Sequence, residues 1–179
     1  INSTFYRLPP ESAFLSWRRR TPDTFRFSVK GSRLITHIRR LRDCEDIVRE
    51  FMERARLLGD KLGVVLWQLP PGFKAEPELL RRFAQILKAN GFPRHAFEFR
   101  HASWLAGEVE EMLADFGFTR VAADSRACMV EQPAGGGDFV YFRRHGPGGR
   151  YNASYPDEAL WEDARHIREY LYTGRDVFM

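Results

Sequence analysis

The sequence predicts an α/β fold, a TIM-type (β/α) barrel left incomplete at about seven strands, and three observations predict it. Short apolar strands alternate with amphipathic helices along the chain. The strands, typified by Val64-Val65-Leu66-Trp67-Gln68-Leu69, are too apolar to face water on either side. Polar groups gather at the carboxyl ends of nearly every strand, as Lys30, Gln68, Glu98 with Arg100, Asp124, and Arg143 with His145. An open sheet would collect such groups at one switch point; a barrel spreads them around its mouth.

Taken in order, residues 1 to 6 read as an extended strand, and Pro9-Pro10-Glu11 opens a helix whose Phe14, Leu15 and Trp17 pack while Arg18 to Arg20 stay in water. In the next strand, residues 26 to 30, Phe25, Phe27 and Val29 share one face, leaving Ser28 and Lys30 on the other. Asp43 caps a helix in which Ile47, Val48, Phe51, Met52, Ala55 and Leu58 recur at helical spacing, and Gly59 ends it. Residues 63 to 69 form a strand buried on both faces, where Gln68 is an amide in need of a partner or a ligand. Leu79, Leu80, Phe83, Ile86 and Leu87 mark a helix stopped by Asn90-Gly91.

The stretch Ala96 to Trp104 holds the most costly residues. A strand that puts Phe97 and Phe99 on one face puts Glu98 and Arg100 on the other, and His101 and Trp104 follow its end. In a central strand, those charges point where an unpaired charge is expensive. Val109, Met112, Leu113 and Phe116 then form a helix ended by Gly117, and residues 119 to 124 a strand ending in Asp124. Residues 125 to 138 read as a loop closed by three glycines. A strand follows with Arg143 and His145 on one face, then Gly146-Pro147-Gly148-Gly149-Arg150. Leu160, Trp161, Ala164, Ile167 and Leu171 mark the last helix, before an apolar run at 177 to 179.

At 179 residues, with 44% hydrophobic content and no break in composition, residues 1 to 179 read as a single domain. A net charge of +4 permits an anionic partner without demanding one. Cys44 and Cys128 lie far apart with no CxxC or Cys/His cluster, so a reducing, cytoplasmic setting is expected. No run suits a membrane span. The chain begins at Ile1 in an extended segment and stops inside an apolar run, so both ends read as cut. A complete barrel has eight strands in about 250 residues, one strand and a closing helix more than are legible here. Oligomeric state leaves no signal in the sequence.

The sequence resembles the YecE-like proteins grouped as domain of unknown function 72. The matching pieces are Asn2-Ser3-Thr4-Phe5-Tyr6, the Phe-x-Val-Lys ending at Lys30 with Thr36-His37, Gln68-Leu69-Pro70-Pro71, Glu98-Phe99-Arg100-His101 with Ser103-Trp104, Ala123-Asp124, and His145-Gly146 leading to Tyr151 and Tyr155. The resemblance implies a TIM barrel. It also implies that two family segments are absent, an opening strand with a Gly-Trp and Tyr pattern and a closing part rich in Asn and Phe. Arg144 departs from an expected aliphatic residue, on the outward face.

Several groups can carry chemistry. Glu98 and Arg100 read either as an active-site pair or as an internal salt bridge filling the barrel. Glu98, His101, Asp124 and His145 are the residue types of a divalent metal site, although His101 can instead cap its loop. Lys30, Arg100, Arg143 and Arg150 would ring the mouth with positive charge and the turn around Gly148 would add backbone N–H groups for a phosphate, or the turn is a tight connection and the arginines pair with Asp124 and Glu98. Tyr6, Trp104, Tyr151 and Tyr155 offer stacking surfaces or loop packing. Cys128 is a candidate nucleophile, and His37 reads as a rim residue. No Walker, Rossmann or Gly-x-Ser-x-Gly pattern is present.

The expected function is therefore an enzyme acting on an anionic, phosphate-bearing substrate, such as a phosphoester or nucleic-acid hydrolase. Lys30, Arg100 and Arg143 would bind charge, and Gln68 and Asn2 would orient the substrate. Glu98, Asp124 or His145 would transfer protons. The alternatives are a non-catalytic nucleic-acid or nucleotide binder with the same basic mouth, and a truncated copy that has lost activity.

Overall fold

Alternating apolar strands and amphipathic helices give a mixed α/β fold with parallel sheets. The computed structural model describes residues 1–149 and 153–179. The chain opens with α1 (Ser3–Tyr6) and α2 (Glu11–Arg20), then β1 (Phe27–Lys30), a π-helical turn (Leu34–Ile38) and α3 (Glu45–Arg56). The middle alternates β2 (Leu62–Gln68), α4 (Pro77–Ala89), β3 (His95–Glu98) and α5 (Gly107–Phe116). Next come β4 (Thr119–Arg120), β5 (Ala122–Ser125), β6 (Cys128–Val130), β7 (Ala134–Gly135) and β8 (Phe139–Arg143), and the last elements are α6 (Asp157–Tyr172) and β9 (Asp176–Phe178).

The strands form two sheets, ordered β1-β2-β3-β4-β7 and β6-β5-β8-β9, and neither closes on itself. β1 through β4 pair in parallel in chain order, as do β5, β8 and β9. β4 and β5 are one run interrupted at Val121, whose first half pairs with β3 and whose second half pairs with β8. This run is the seam between the sheets. Thr119 Oγ1 donates across it to Phe139 O at 3.1 Å.

Sheet faces follow the two-residue period of a strand. Val29, Val65, Trp67, Phe97 and Phe99 pack under the helices with Phe51, Leu80 and Phe83. Val64, Leu66, Ala96, Val121, Ala123, Phe139 and Tyr141 form a second, separate apolar layer on the opposite face. α3 and α4 form as read, burying Val48, Phe51, Met52 and Ala55 and Leu80, Phe83, Ala84 and Leu87. Acidic residues sit in the first turn of α3 and arginines in its last, matching the helix dipole. Gly117, at φ 71°, closes α5 as a left-handed cap.

Several local expectations are corrected. Residues 1 to 6 do not form a strand: the Thr4 hydroxyl donates to Lys30 O at 2.7 Å and lies 3.1 Å from Ile1 O, curling the chain into α1. Only Ile1 runs beside β1, its carbonyl accepting from Lys30 N–H at 3.0 Å. Asp43 does not cap α3; it has φ 46° and the N-cap is Cys44. Leu15 is exposed. The loop at 125 to 138 contains β6 and β7, which pair antiparallel with β5 and β4. α6 leaves Leu160, Trp161 and Leu171 exposed and buries Asp163 against Arg144, where the apolar spacing predicts the reverse. Among the described residues, no helix is long and apolar enough to cross a membrane.

Candidate functional site

The strand period that packs Phe97 and Phe99 under the helices turns Glu98 to the opposite face, above the second apolar layer. There it meets Arg100, just beyond its own strand, and Arg143 and His145 from the carboxyl end of β8. Glu98 is fully buried, and Arg100 and Arg143 each place a guanidinium nitrogen on one of its oxygens. His145 Nε2 lies 3.2 Å from Glu98 Oε1 and 2.9 Å from Arg100 Nη2. One ring nitrogen cannot both donate to a carboxylate and accept from a guanidinium, so proton position at His145 decides which partner it serves. Arg100 also donates to Ser125 Oγ, which ties β3 to β5 across the seam.

Lys30 and Gln68 sit side by side at the ends of β1 and β2. Lys30 Nζ donates to Gln68 Oε1 at 2.7 Å, supplying a partner for the half-buried amide, and lies 4.2 Å from the centre of the Phe5 ring. Burial lowers Lys30 from 10.5 to about 8, with Arg143 and Arg100 adding to the shift and Glu98 opposing it. Burial pushes Glu98 up, but the His145 bond and the charges of Arg143 and Arg100 outweigh it and hold the carboxyl at about 2. Glu98 is thus an anion that clamps two arginines.

Asp124 lies beside this cluster and is engaged on both sides. One oxygen accepts His145 N–H at 2.7 Å and the other accepts the Tyr155 hydroxyl, so both are occupied by donors that place His145 and the following turn. Tyr155 also accepts Gly146 N–H at 2.7 Å. Burial, then Asp124, raises the Tyr155 phenol to about 12, which keeps it a donor. The glycine turn is consequently less open than the sequence suggests: Gly146 N–H serves Tyr155 and Gly149 N–H serves Gly146 O at 2.7 Å, while Gly148 is exposed. Arg150 and Tyr151 lie outside the described residues.

Trp104 is not a stacking surface. It is fully buried, stacked on Phe99 with centroids 5.1 Å apart, and its indole N–H donates to Phe73 O at 2.7 Å. His101 takes the capping role, accepting Ser103 N–H at 3.1 Å through Nδ1. Among the described residues, no group of three or more His, Cys, Asp or Glu could hold a metal ion. Cys128 is buried, and burial raises its thiol despite the nearby Arg100 and Arg120, an environment that suppresses the thiolate. Asn2 and Tyr6 are exposed near the end of β1, at the rim.

Sequence reasoning missed one participant, Ser125, and read another, His37, as a rim residue. Ser125 closes the strand pair across the seam through Arg100, and its only signal was its place at the end of β5. His37 stands edge-on to Phe5 at 5.0 Å, with Nδ1 2.8 Å from the Thr36 hydroxyl. Burial, then Lys30 and Arg33, lowers His37 to about 4, so it is neutral at pH 7. A π-helical turn carries it, and such turns recur at functional sites.

The chain has relatives in sequence and in structure. The profile of the family described as Protein of unknown function DUF72 matches residues 1–179. The YecE protein of Escherichia coli (strain K12) is 36% identical over 138 residues, 74% of this chain and 50% of its own length, so the chain spans about half of that relative. A crystal structure of a DUF72 family protein from Thermotoga maritima superposes with a TM-score of 0.80 at 26% identity, covering 98% of this chain and 73% of that one. One from Enterococcus faecalis gives a TM-score of 0.82 at 20% identity, over 99% and 79%.

Proposed function

We propose, since this chain belongs to the family of proteins of unknown function DUF72, that its carboxyl-end face binds an anionic, phosphate-bearing substrate within a TIM-type barrel. The barrel reading is supported by strands that pair in parallel in chain order and by an apolar layer on the face away from the helices. The carrying observation for the anion is the cluster at Glu98. Lys30, Arg100 and Arg143 surround it against two carboxylates, and both oxygens of Asp124 are taken, by His145 N–H and the Tyr155 hydroxyl. Arg100 Nε is buried with no partner among the described residues. That leaves positive charge and a donor in a low-dielectric setting, where an anion is worth most. Because Glu98 and Asp124 have their oxygens occupied, proton transfer in a phosphoester or nucleic-acid hydrolase would fall to His145.

The occupied carboxylates also favour a second reading, a non-catalytic nucleic-acid or nucleotide binder whose exposed Tyr6 stacks at the rim. Two measurements test both. Inorganic phosphate should raise the melting temperature relative to chloride at equal ionic strength, and Arg143→Met should lose that gain. No gain up to tens of millimolar phosphate would sink the anion site. Labelled single-stranded and duplex DNA, followed by anisotropy at two salt concentrations and then on a gel, separates the readings. Salt-sensitive binding with cleavage supports the hydrolase, and binding without cleavage supports the binder. Two free, buried cysteines fit the cytoplasmic setting we propose.

A further inference from the structure

We propose that Lys30 is a carbonyl-condensing amine, its Nζ forming an imine with a phosphorylated ketone or aldehyde held at the basic face. The inference rests on the anion site proposed above and adds the reacting group of its substrate. Placement carries the first part. Lys30 ends β1 and, with Asn2, Ser28, Tyr141 and Arg143, lines a cleft of about 250 Å³. A phosphate on Arg143 would hold a short carbonyl compound within reach of the amine, the proximity that condensation needs.

The choice of residue carries the second part. This chain uses Arg at 24 of its 28 basic positions and Lys at only four. Lys61 is buried and donates to Arg18 O at 2.8 Å and Thr21 O at 2.7 Å, a structural role. Lys74 and Lys88 are exposed. At the site, charge alone is supplied by arginines, which stay protonated; Lys30 is the one lysine there, and of the described side chains at the site the one whose primary amine can condense with a carbonyl to an imine.

Burial, Arg143 and Arg100 lower the cost of the neutral amine. The Phe5 ring lies on one side and the Gln68 acceptor fixes the direction of Nζ. The titratable and charged groups facing it are Arg143 from β8, Glu98 from β3, Arg100 beyond β3, and His37 from the π-helical turn. With Lys30 at about 8, roughly a tenth of it is free amine at pH 7. In the reaction the neutral Nζ adds to the carbonyl carbon, forming the N–C bond of a carbinolamine. The C–O bond then breaks, and the oxygen leaves as water with one proton from nitrogen and one from solvent. No oxidant or reductant is needed.

The test is reductive trapping of the 179-residue protein with dihydroxyacetone phosphate and sodium borohydride, read by intact mass and peptide mapping. A single reduced adduct on Lys30 is expected, forming at least tenfold faster than any on Lys74 or Lys88. Lys30→Arg should lose it and Lys74→Arg should keep it. The labelling rate should rise between pH 7 and 9. Adduct spread equally over the four lysines, or none at Lys30 while phosphate still raises the melting temperature, would overturn the imine and leave the anion site standing. Adduct at Lys30 that inorganic phosphate does not slow would support the amine chemistry and count against the anion site. Neither phosphate stabilisation nor adduct would end both.

Discussion

Glu98 and His95 lie three residues apart in one strand, both fully buried, and their opposite side-chain directions give them opposite tasks. Glu98 compensates two guanidiniums, so Glu98→Gln leaves both with one partner fewer in a dry setting. We expect it to lower unfolding free energy by about 3–5 kcal/mol, read as a shift in urea midpoint at constant slope. Its carboxyl is held at about 2 against 4.5 when unfolded, so its contribution is fully present above pH 4.5 and is lost as pH falls through 2. His95, in the helix-side layer, accepts the Trp67 indole N–H at 3.1 Å, and burial lowers it from 6.5 to about 3. A neutral His95 therefore stabilises above pH 6.5, and the benefit fades as pH falls from 6.5 toward 3. Melting curves should decline across that window, and His95→Leu should flatten the decline while costing about 1–3 kcal/mol at pH 7 through the orphaned indole. The cost of Glu98 and Arg100 was legible in strand alternation. Their partner Arg143, 45 residues on, was legible only as a cation at another strand end, because side chains from different strands share no spacing.

Elements with a strong period were legible, and α1, β6 and β7, of two to four residues, were not. α3, α4 and α5 carry their apolar faces where the spacing puts them. α1 is a single turn tied to β1 by the Thr4 hydroxyl, and β6 and β7 are too short to announce themselves. The end of β1 depends on a close approach: a Cβ on Gly31 would lie 2.3 Å from Trp67 Cε3, and Gly31 N–H donates to Leu66 O at 2.8 Å. Gly31→Ala should destabilise by about 1–3 kcal/mol by pushing β1 from β2. It should also weaken the phosphate-induced melting shift, because Lys30 is the neighbouring residue. After the π-helical turn, Arg40, Leu41 and Asp43 have φ of 49°, 67° and 46°, left-handed positions that side chains seldom occupy. The sequence there reads as an ordinary loop, since no glycine marks the bend.

Over the whole molecule the apolar layers are uneven. β2, β3, α3 and α4 surround the large helix-side core, whereas among the described residues α6 buries only Asp163 and meets the sheet through Tyr170 and Phe142. Backbone amides of α6 and β9 should exchange with deuterium well before those of β2 and β3, by a factor of at least ten in labelling rate. Equal protection would mean that the two sheets unfold as one unit. The α/β class and parallel pairing were legible from apolar strands alternating with helices. The seam at Val121 was not, since nothing in Phe-Thr-Arg-Val-Ala-Ala-Asp says that one run serves two neighbours. That seam is crossed by Arg100 reaching Ser125 and by Arg143 reaching Glu98. A substitution on one side of it leaves an unmatched charge on the other, so positions 98, 100 and 143 form a single unit of inheritance. In an alignment of relatives they should be retained together or replaced together, and a sequence altered at one of the three alone should be rare.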